Sequence, residues 1–182
     1  MIIGLTGKKG CGKSTAANAL EDMGFEVFSF AYTLKLMARV LLRDCGLTEH
    51  EIQYAQKHKE EIIEELGVSY RQLCQTLGTE WGRQHVHPDL WVIAGRNRMA
   101  KSLEPHAVFD DVRFANEADM IRSLGGVIIH IERPGHVSGD DHESEAGIAA
   151  KPGDLRLVNE SSAAVWLERV EYTVGCLIDL PV

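Results

Sequence analysis

Apolar residues along the chain gather into five short runs: Ile2–Thr6, Phe25–Phe30, Ala107–Asp111, Val127–Glu132 and Leu155–Val158. Each is rich in Val, Ile, Leu or Phe and is bounded by glycine, proline or charge, as strands covered on both faces are. Between the runs, apolar positions recur at helical spacing. Strands alternating with helices predict an α/β fold, a five-stranded parallel sheet with helices on both faces.

The intervals between runs are unequal. About 75 residues separate the second run from the third, far more than one crossover needs. This interval contains Thr48-Glu-His-Glu51 and Ser69-Tyr-Arg-Gln72, both of capping-box form, so at least two helices are expected to start there. The first would carry Ile52, Ala55, Ile62, Ile63 and Leu66 on one face. After the fourth run, the polar stretch Arg133–Glu145 has no periodicity and reads as a lid or linker. The expected organisation is a single domain. Its core is 1–30, 101–132 and 151–182, its helical insertion about 31–100, and its lid loop about 133–150.

Composition narrows the field. The 182 residues are 45% hydrophobic, enough for a packed core, and 27 acids against 19 bases give a net charge of −8. That balance argues against a partner nucleic acid, whose phosphates reward basic surfaces. No run reaches the ~18 apolar residues of a membrane span, and the first ten residues lack the pattern of a secretory leader. Four scattered cysteines without a Cys-x-x-Cys pair read as reduced thiols, so the expected location is cytoplasmic.

The chemistry begins at Gly7-Lys8-Lys9-Gly10-Cys11-Gly12-Lys13-Ser14, a G-x-x-x-x-G-K-[ST] loop between a predicted strand and a predicted helix that opens with Thr15. Such glycines let backbone N–H groups converge on phosphate oxygens, and the helix N-terminus adds partial positive charge. Lys13 should reach the β- and γ-phosphates, and Ser14 should ligate Mg²⁺. A second magnesium anchor is expected at a neighbouring strand end, where Asp110 and Asp111 stand and Asp111 is favoured. Arg113, just beyond, suits an acceptor or transferring phosphate; a salt bridge to Glu117 is the other reading.

A helix predicted over 70–83 places Tyr70, Leu73, Cys74, Leu77 and Trp81 on a core face. Opposite them lie Arg71, Gln75, Gly78, Thr79 and Gly82, with Arg83 at the edge. Two glycines on one helix face suggest close approach of a partner, either a flat base or sugar or another helix. Lys35 reads as a phosphate contact or a solvated lysine. Arg133 would stack on adenine or touch phosphate, and Asn159 would border adenine or cap the last helix. His142, Ser144 and Glu145 fall in the lid, and no zinc-like spacing accompanies them.

Three stretches together carry a resemblance: Leu5–Thr15, Arg71–Arg83 and Asp111-Val-Arg-Phe-Ala-Asn-Glu117, with Asp89-Leu-Trp91 in support. They resemble the bacteriophage-type deoxynucleoside monophosphate kinases, from the loop to about Asn159. The resemblance implies a three-layer P-loop kinase fold with an acceptor-binding insertion. It also implies transfer of the ATP γ-phosphate to a deoxynucleoside 5′-monophosphate with Mg²⁺. Under it, Lys13, Asp111 and Arg113 are catalytic. Gly7, Lys8, Gly10, Cys11, Gly12, Lys13, Ser14, Thr15, Arg133 and Asn159 bind ATP. Lys35, Arg71, Gln75, Thr79, Arg83, Arg113 and Glu117 bind the acceptor, and Ser14 and Asp111 hold the metal. A homodimer is plausible. Dephospho-coenzyme A kinase and a P-loop NTPase switch remain as alternatives, although no Asn-Lys-x-Asp guanine-reading segment is present.

Overall fold

The computed structural model describes residues 1–135 and 147–178. Most of the loop read as a lid, including His142, Ser144 and Glu145, lies outside the described residues. The strands are β1 (Ile2–Thr6), β2 (Glu26–Phe28), β3 (Ile62–Ile63), β4 (Val68–Ser69), β5 (Ala107–Phe109), β6 (Val127–Glu132) and β7 (Leu155–Val158). The helices are α1 (Lys13–Asp22), α2 (Tyr32–Asp44), α3 (Glu49–Lys57), α4 (Tyr70–Gln75), α5 (Leu90–Met99), α6 (Ala115–Ser123) and α7 (Ala163–Ile178), with a π-helix over Thr76–Val86. No helix among the described residues is long and apolar enough to cross a membrane.

Five strands form one parallel sheet in the order β2-β5-β1-β6-β7, with β1 pairing β5 on one side and β6 on the other. All five predicted strands are present. Phe25–Phe30 and Ala107–Asp111 are trimmed to three residues each, because the residues beyond them leave the ladder to build loops.

The chain divides into two compact units, Met1–Phe30 with Gly95–Val182, and Ala31–Ala94. In the first unit, Ile3 and Leu5 of β1 and Ile129 and Ile131 of β6 pack with Ala16, Ala17 and Leu20 of α1 and Trp166, Val170 and Val174 of α7. The opposite face of β1, at Gly4, meets Val112, Ile121 of α6 and Ile128. Side chains alternate across a strand, so burial of consecutive residues requires helices on both faces.

In the second unit, Ala38 and Leu42 of α2, Ile52 and Ala55 of α3, Ile63 and Tyr70 form a separate core. Here two sequence expectations are corrected. The helix capped by Thr48 and Glu51 does have its capping box, with the Thr48 N–H donating to Glu51 Oε2 at 2.8 Å, but it ends at Lys57. Ile62 and Ile63 instead pair antiparallel with Ser69 and Val68, around a turn that uses Gly67 at φ +67°. Ile63 still reaches the core while Ile62 is 60% exposed, the alternation of a strand and not the arc of a helix. Similarly, the expected helix over 70–83 is α-helical only to Gln75 and then π-helical, with i→i+5 bonds such as His87 N–H to Gly82 O at 3.0 Å. Faces drawn at 100° per residue therefore do not hold beyond Gln75.

A charged cluster ties β6, α6 and the approach to β7 together. The Arg122 guanidinium donates to both Asp154 oxygens, at 3.0 and 2.6 Å, and Asp154 Oδ2 also takes the Lys151 N–H at 2.8 Å and faces His130 Nε2 at 2.9 Å. Burial alone would raise the Asp154 carboxyl, but Arg122, the Lys151 amide and His130 outweigh it and hold the group far below the usual carboxylate range. A depressed native value stabilises the fold above the unfolded-state value of about 3.9 and is lost as pH falls below it. Asp154→Asn is expected to lower stability at pH 7 by about 1.5–3 kcal/mol. Urea titrations at pH 7 and pH 3 check this, because the gap between wild type and variant should narrow in acid.

Candidate active site

The loop between β1 and α1 makes a tight curve that only glycine can take at two points. Gly7 has φ +142°, and a Cβ there would lie 2.2 Å from the Ile131 carbonyl oxygen. Gly12 has φ +109°, and its Cβ would lie 2.6 Å from Asn159 Nδ2 and 3.1 Å from Trp166 Nε1. Within the curve the Cys11 N–H donates to Lys8 O at 3.2 Å, and the Gly12 carbonyl accepts Ala16 N–H at 3.0 Å to open α1. The first turn of α1 carries no acid, so its positive end is uncompensated by its own side chains. Ser14 and Thr15 stand exposed on that turn. Lys13 Nζ donates to the carbonyls of Gly7 at 2.5 Å and Lys8 at 2.9 Å, which places its charge over the loop. Arg133 Nη1 lies 3.4 Å from Gly10 O, on the same loop.

Asn159 departs from expectation. It is 9% exposed, and its Nδ2 donates to Cys11 O at 3.0 Å. Its side chain supports the loop from beneath. The nearby turn before α7 uses Ser162 Oγ, 3.5 Å from Val165 N, instead.

Beside the loop, the chain leaving β5 carries Asp111 and Arg113. Asp111 accepts the Ser29 hydroxyl at 2.5 Å and the Phe30 N–H at 2.7 Å, so its carboxylate ties the end of β5 to the end of β2. Arg98 Nη2 donates to Ser29 O at 2.5 Å from the third side. Glu117, 2% exposed, accepts the backbone N–H groups of Arg113 at 2.7 Å and Phe114 at 3.0 Å. The Glu117 carboxylate thus shapes the turn that presents Arg113. These are positioning contacts.

The remaining predicted residues belong to the second unit. Lys35 is exposed on α2. Arg71 Nε pairs with Glu60 Oε1 at 2.6 Å, and Arg83 Nη1 donates to Pro88 O at 3.0 Å. Gln75 ends α4 half-buried, whereas Thr79 is only 5% exposed. The partner of the glycine face is a protein side chain: a Cβ at Gly82 would lie 2.6 Å from the Trp91 ring, and the Trp91 indole N–H donates to Gly78 O at 2.7 Å. Of the two sequence readings, helix packing explains these glycines. Trp81, expected in the core, is 42% exposed instead. Burial pushes the Cys74 thiol up.

Sequence reasoning missed Ser29, Arg98 and Trp166, which no local motif marks and whose partners are distant in the chain; Trp91 was picked out only as part of Asp89-Leu-Trp91, without its contact to Gly78. Among the described residues no group of three or more His, Cys, Asp or Glu side chains could hold a metal ion.

A parallel sheet whose first strand feeds a G-x-x-x-x-G-K-S loop defines a P-loop nucleotide-binding protein of the kinase type. The profile of the family described as "Deoxynucleotide monophosphate kinase" matches residues 34–170. A putative deoxynucleotide monophosphate kinase of Acanthamoeba polyphaga mimivirus is 38% identical over 181 residues, covering 89% of this chain and 90% of the relative. The deoxynucleoside-5′-monophosphate kinase of Escherichia phage T5 is 34% identical over 59% of this chain, a match that spans 46% of the phage protein. Among solved structures, TT1252 from Thermus thermophilus shares the fold at TM-score 0.53 and 19% identity, covering 100% of this chain and 98% of that one. The chain belongs to the deoxynucleotide monophosphate kinase family, and that membership makes it a kinase acting on a nucleotide. The dephospho-coenzyme A and NTPase-switch alternatives give way to it.

The packing reading of the π-helix has a direct check. Gly82→Ala should drive a methyl group into the Trp91 indole and destabilise the protein by roughly 1–3 kcal/mol. Thermal melting measures it. An unchanged melting temperature would show that the indole yields without cost.

Proposed function

We propose that the chain transfers the γ-phosphoryl group of ATP to the 5′-phosphate of a deoxynucleoside monophosphate, giving the diphosphate and ADP, with Mg²⁺. The observation that carries this reading is the loop itself. Three positive-φ glycines, Gly7, Gly10 and Gly12, an ammonium over the curve and an α-helix whose first turn has no acid form a site for a polyphosphate.

In this reading Gly7–Thr15 cradles the phosphates, and Lys13 exchanges its loop carbonyls for β- and γ-phosphate oxygens. Charge grows on those oxygens during transfer, so the lysine contributes most to the transition state. Ser14 and Asp111 would hold Mg²⁺, which neutralises phosphate charge when bound. Arg113, steadied by Glu117 beneath its turn, binds the acceptor or transferring phosphate through its planar fork. Arg133 covers the nucleotide at the base of the 133–150 loop, which we take as the lid that excludes water. The 31–100 segment binds the acceptor through Lys35, Arg71, Gln75 and Arg83. Thr79 serves this segment as a buried packing residue.

ADP release measured across deoxynucleoside monophosphates, ribonucleoside monophosphates and dephospho-coenzyme A tests the assignment. Release should depend on a deoxynucleoside monophosphate; acceptor-independent release would refute transfer. Lys13→Ala should cut kcat by roughly 10²- to 10³-fold with melting temperature unchanged. A magnesium titration separates the two acids: Asp111→Asn should raise the metal requirement, and Asp110→Asn should raise it less. The reverse order would move the anchor to Asp110.

A further inference from the structure

A loop that gives its amides to phosphate needs something else to hold its peptide planes, and one group is placed to do so for the Cys11–Gly12 peptide. Asn159 sits just past β7. Its own N–H extends the β6–β7 ladder by donating to Glu132 O at 2.7 Å, and the preceding carbonyl, Val158 O, accepts Arg169 Nη1 of α7 at 2.5 Å. Both backbone groups flanking Asn159 are therefore fixed. From that position the buried Nδ2 donates to Cys11 O at 3.0 Å, across 148 residues of sequence.

In a trans peptide, C=O and N–H point to opposite sides of the chain. No cis peptide occurs among the described residues. Holding the Cys11 carbonyl against Asn159 therefore turns the Gly12 N–H the other way, off the face that Asn159 and Trp166 cover. We propose that Asn159 is a positioning residue for the phosphate site: its amide fixes the Cys11–Gly12 peptide so that the Gly12 N–H is presented to the nucleotide. Gly12 is what allows this contact, since any side chain there would occupy the space of the Asn159 amide. The inference rests on the loop binding nucleotide phosphate, and it assigns Asn159 no contact with adenine or with the acceptor.

Asn159→Asp tests it, because the shape is kept while the donor is replaced by an acceptor facing Cys11 O. The full chain is compared with wild type in three measurements. The Gly12 amide resonance in the ¹⁵N spectrum should move in the nucleotide-free variant. MgADP affinity by calorimetry and the KM for MgATP should weaken roughly tenfold. The KM for the deoxynucleoside monophosphate should stay within about twofold. Should Asn159→Asp not fold, Asn159→Ser, which keeps a shorter donor, is expected to fall between the two. An unmoved Gly12 resonance with unchanged MgADP affinity overturns the proposal. Equal loss for both substrates with a lowered melting temperature also overturns it, since that is the signature of a merely structural residue. If wild type binds MgADP but transfers nothing to any acceptor, the kinase reading fails, and MgADP affinity still decides the role of Asn159.

Discussion

Backbone N–H groups that are to bind phosphate cannot also be spent on holding their own loop in shape. This constraint shapes the first unit around residues 7–12. Within it the Cys11 N–H donates to Lys8 O, and the Lys13 ammonium donates to the Gly7 and Lys8 carbonyls and toward Cys11 Sγ at 3.8 Å. The curve is held from outside, by Ile131 of β6 against Gly7, by Asn159 beyond β7 under Cys11, and by Trp166 of α7 under Gly12. All three come from the sheet and the helix that close over it. The apolar packing of Ile3, Leu5, Ile131 and Trp166 thus backs the loop from beneath.

The same division of labour recurs at the neighbouring strand end. Asp111 and Arg113 are the residues with chemistry to offer, and acids and hydroxyls around them supply the geometry. Ser29 and the Phe30 amide bind Asp111, Arg98 binds the Ser29 carbonyl, and Glu117 binds the Arg113 and Phe114 amides. A buried carboxylate such as Glu117 is stable only when its oxygens find donors, and two backbone N–H groups in a turn provide them. Its burial and its role have one cause.

In the second unit, packing overrides periodicity. The Trp91 ring occupies the space beside Gly82, and its N–H takes the Gly78 carbonyl. The helix there widens to the π form, which changes the faces that Thr79 and Trp81 present. π-helical segments are uncommon and are frequent at functional sites. Arg83 lies on this one.

Much of the fold was legible in the sequence because its signals are local. A strand buried on both faces shows as a short apolar run, a capping box needs four residues, and a phosphate loop needs eight. All of these are satisfied by neighbours in the chain, so Ile2–Thr6, Thr48–Glu51 and Gly7–Ser14 declare themselves. The same locality misled where a partner came from elsewhere. Ile62 and Ile63 fit a helical arc but are claimed by a hairpin, and Gly78 and Gly82 left room for a ligand or a helix until Trp91 was seen to fill it. Asn159 looked equally suited to adenine or to a helix cap, and the structure gives its amide to a carbonyl 148 residues away. Residue type and spacing establish that a group can donate, accept or carry charge. Which atom receives that bond is decided only when the folded sheet brings distant segments within hydrogen-bond reach.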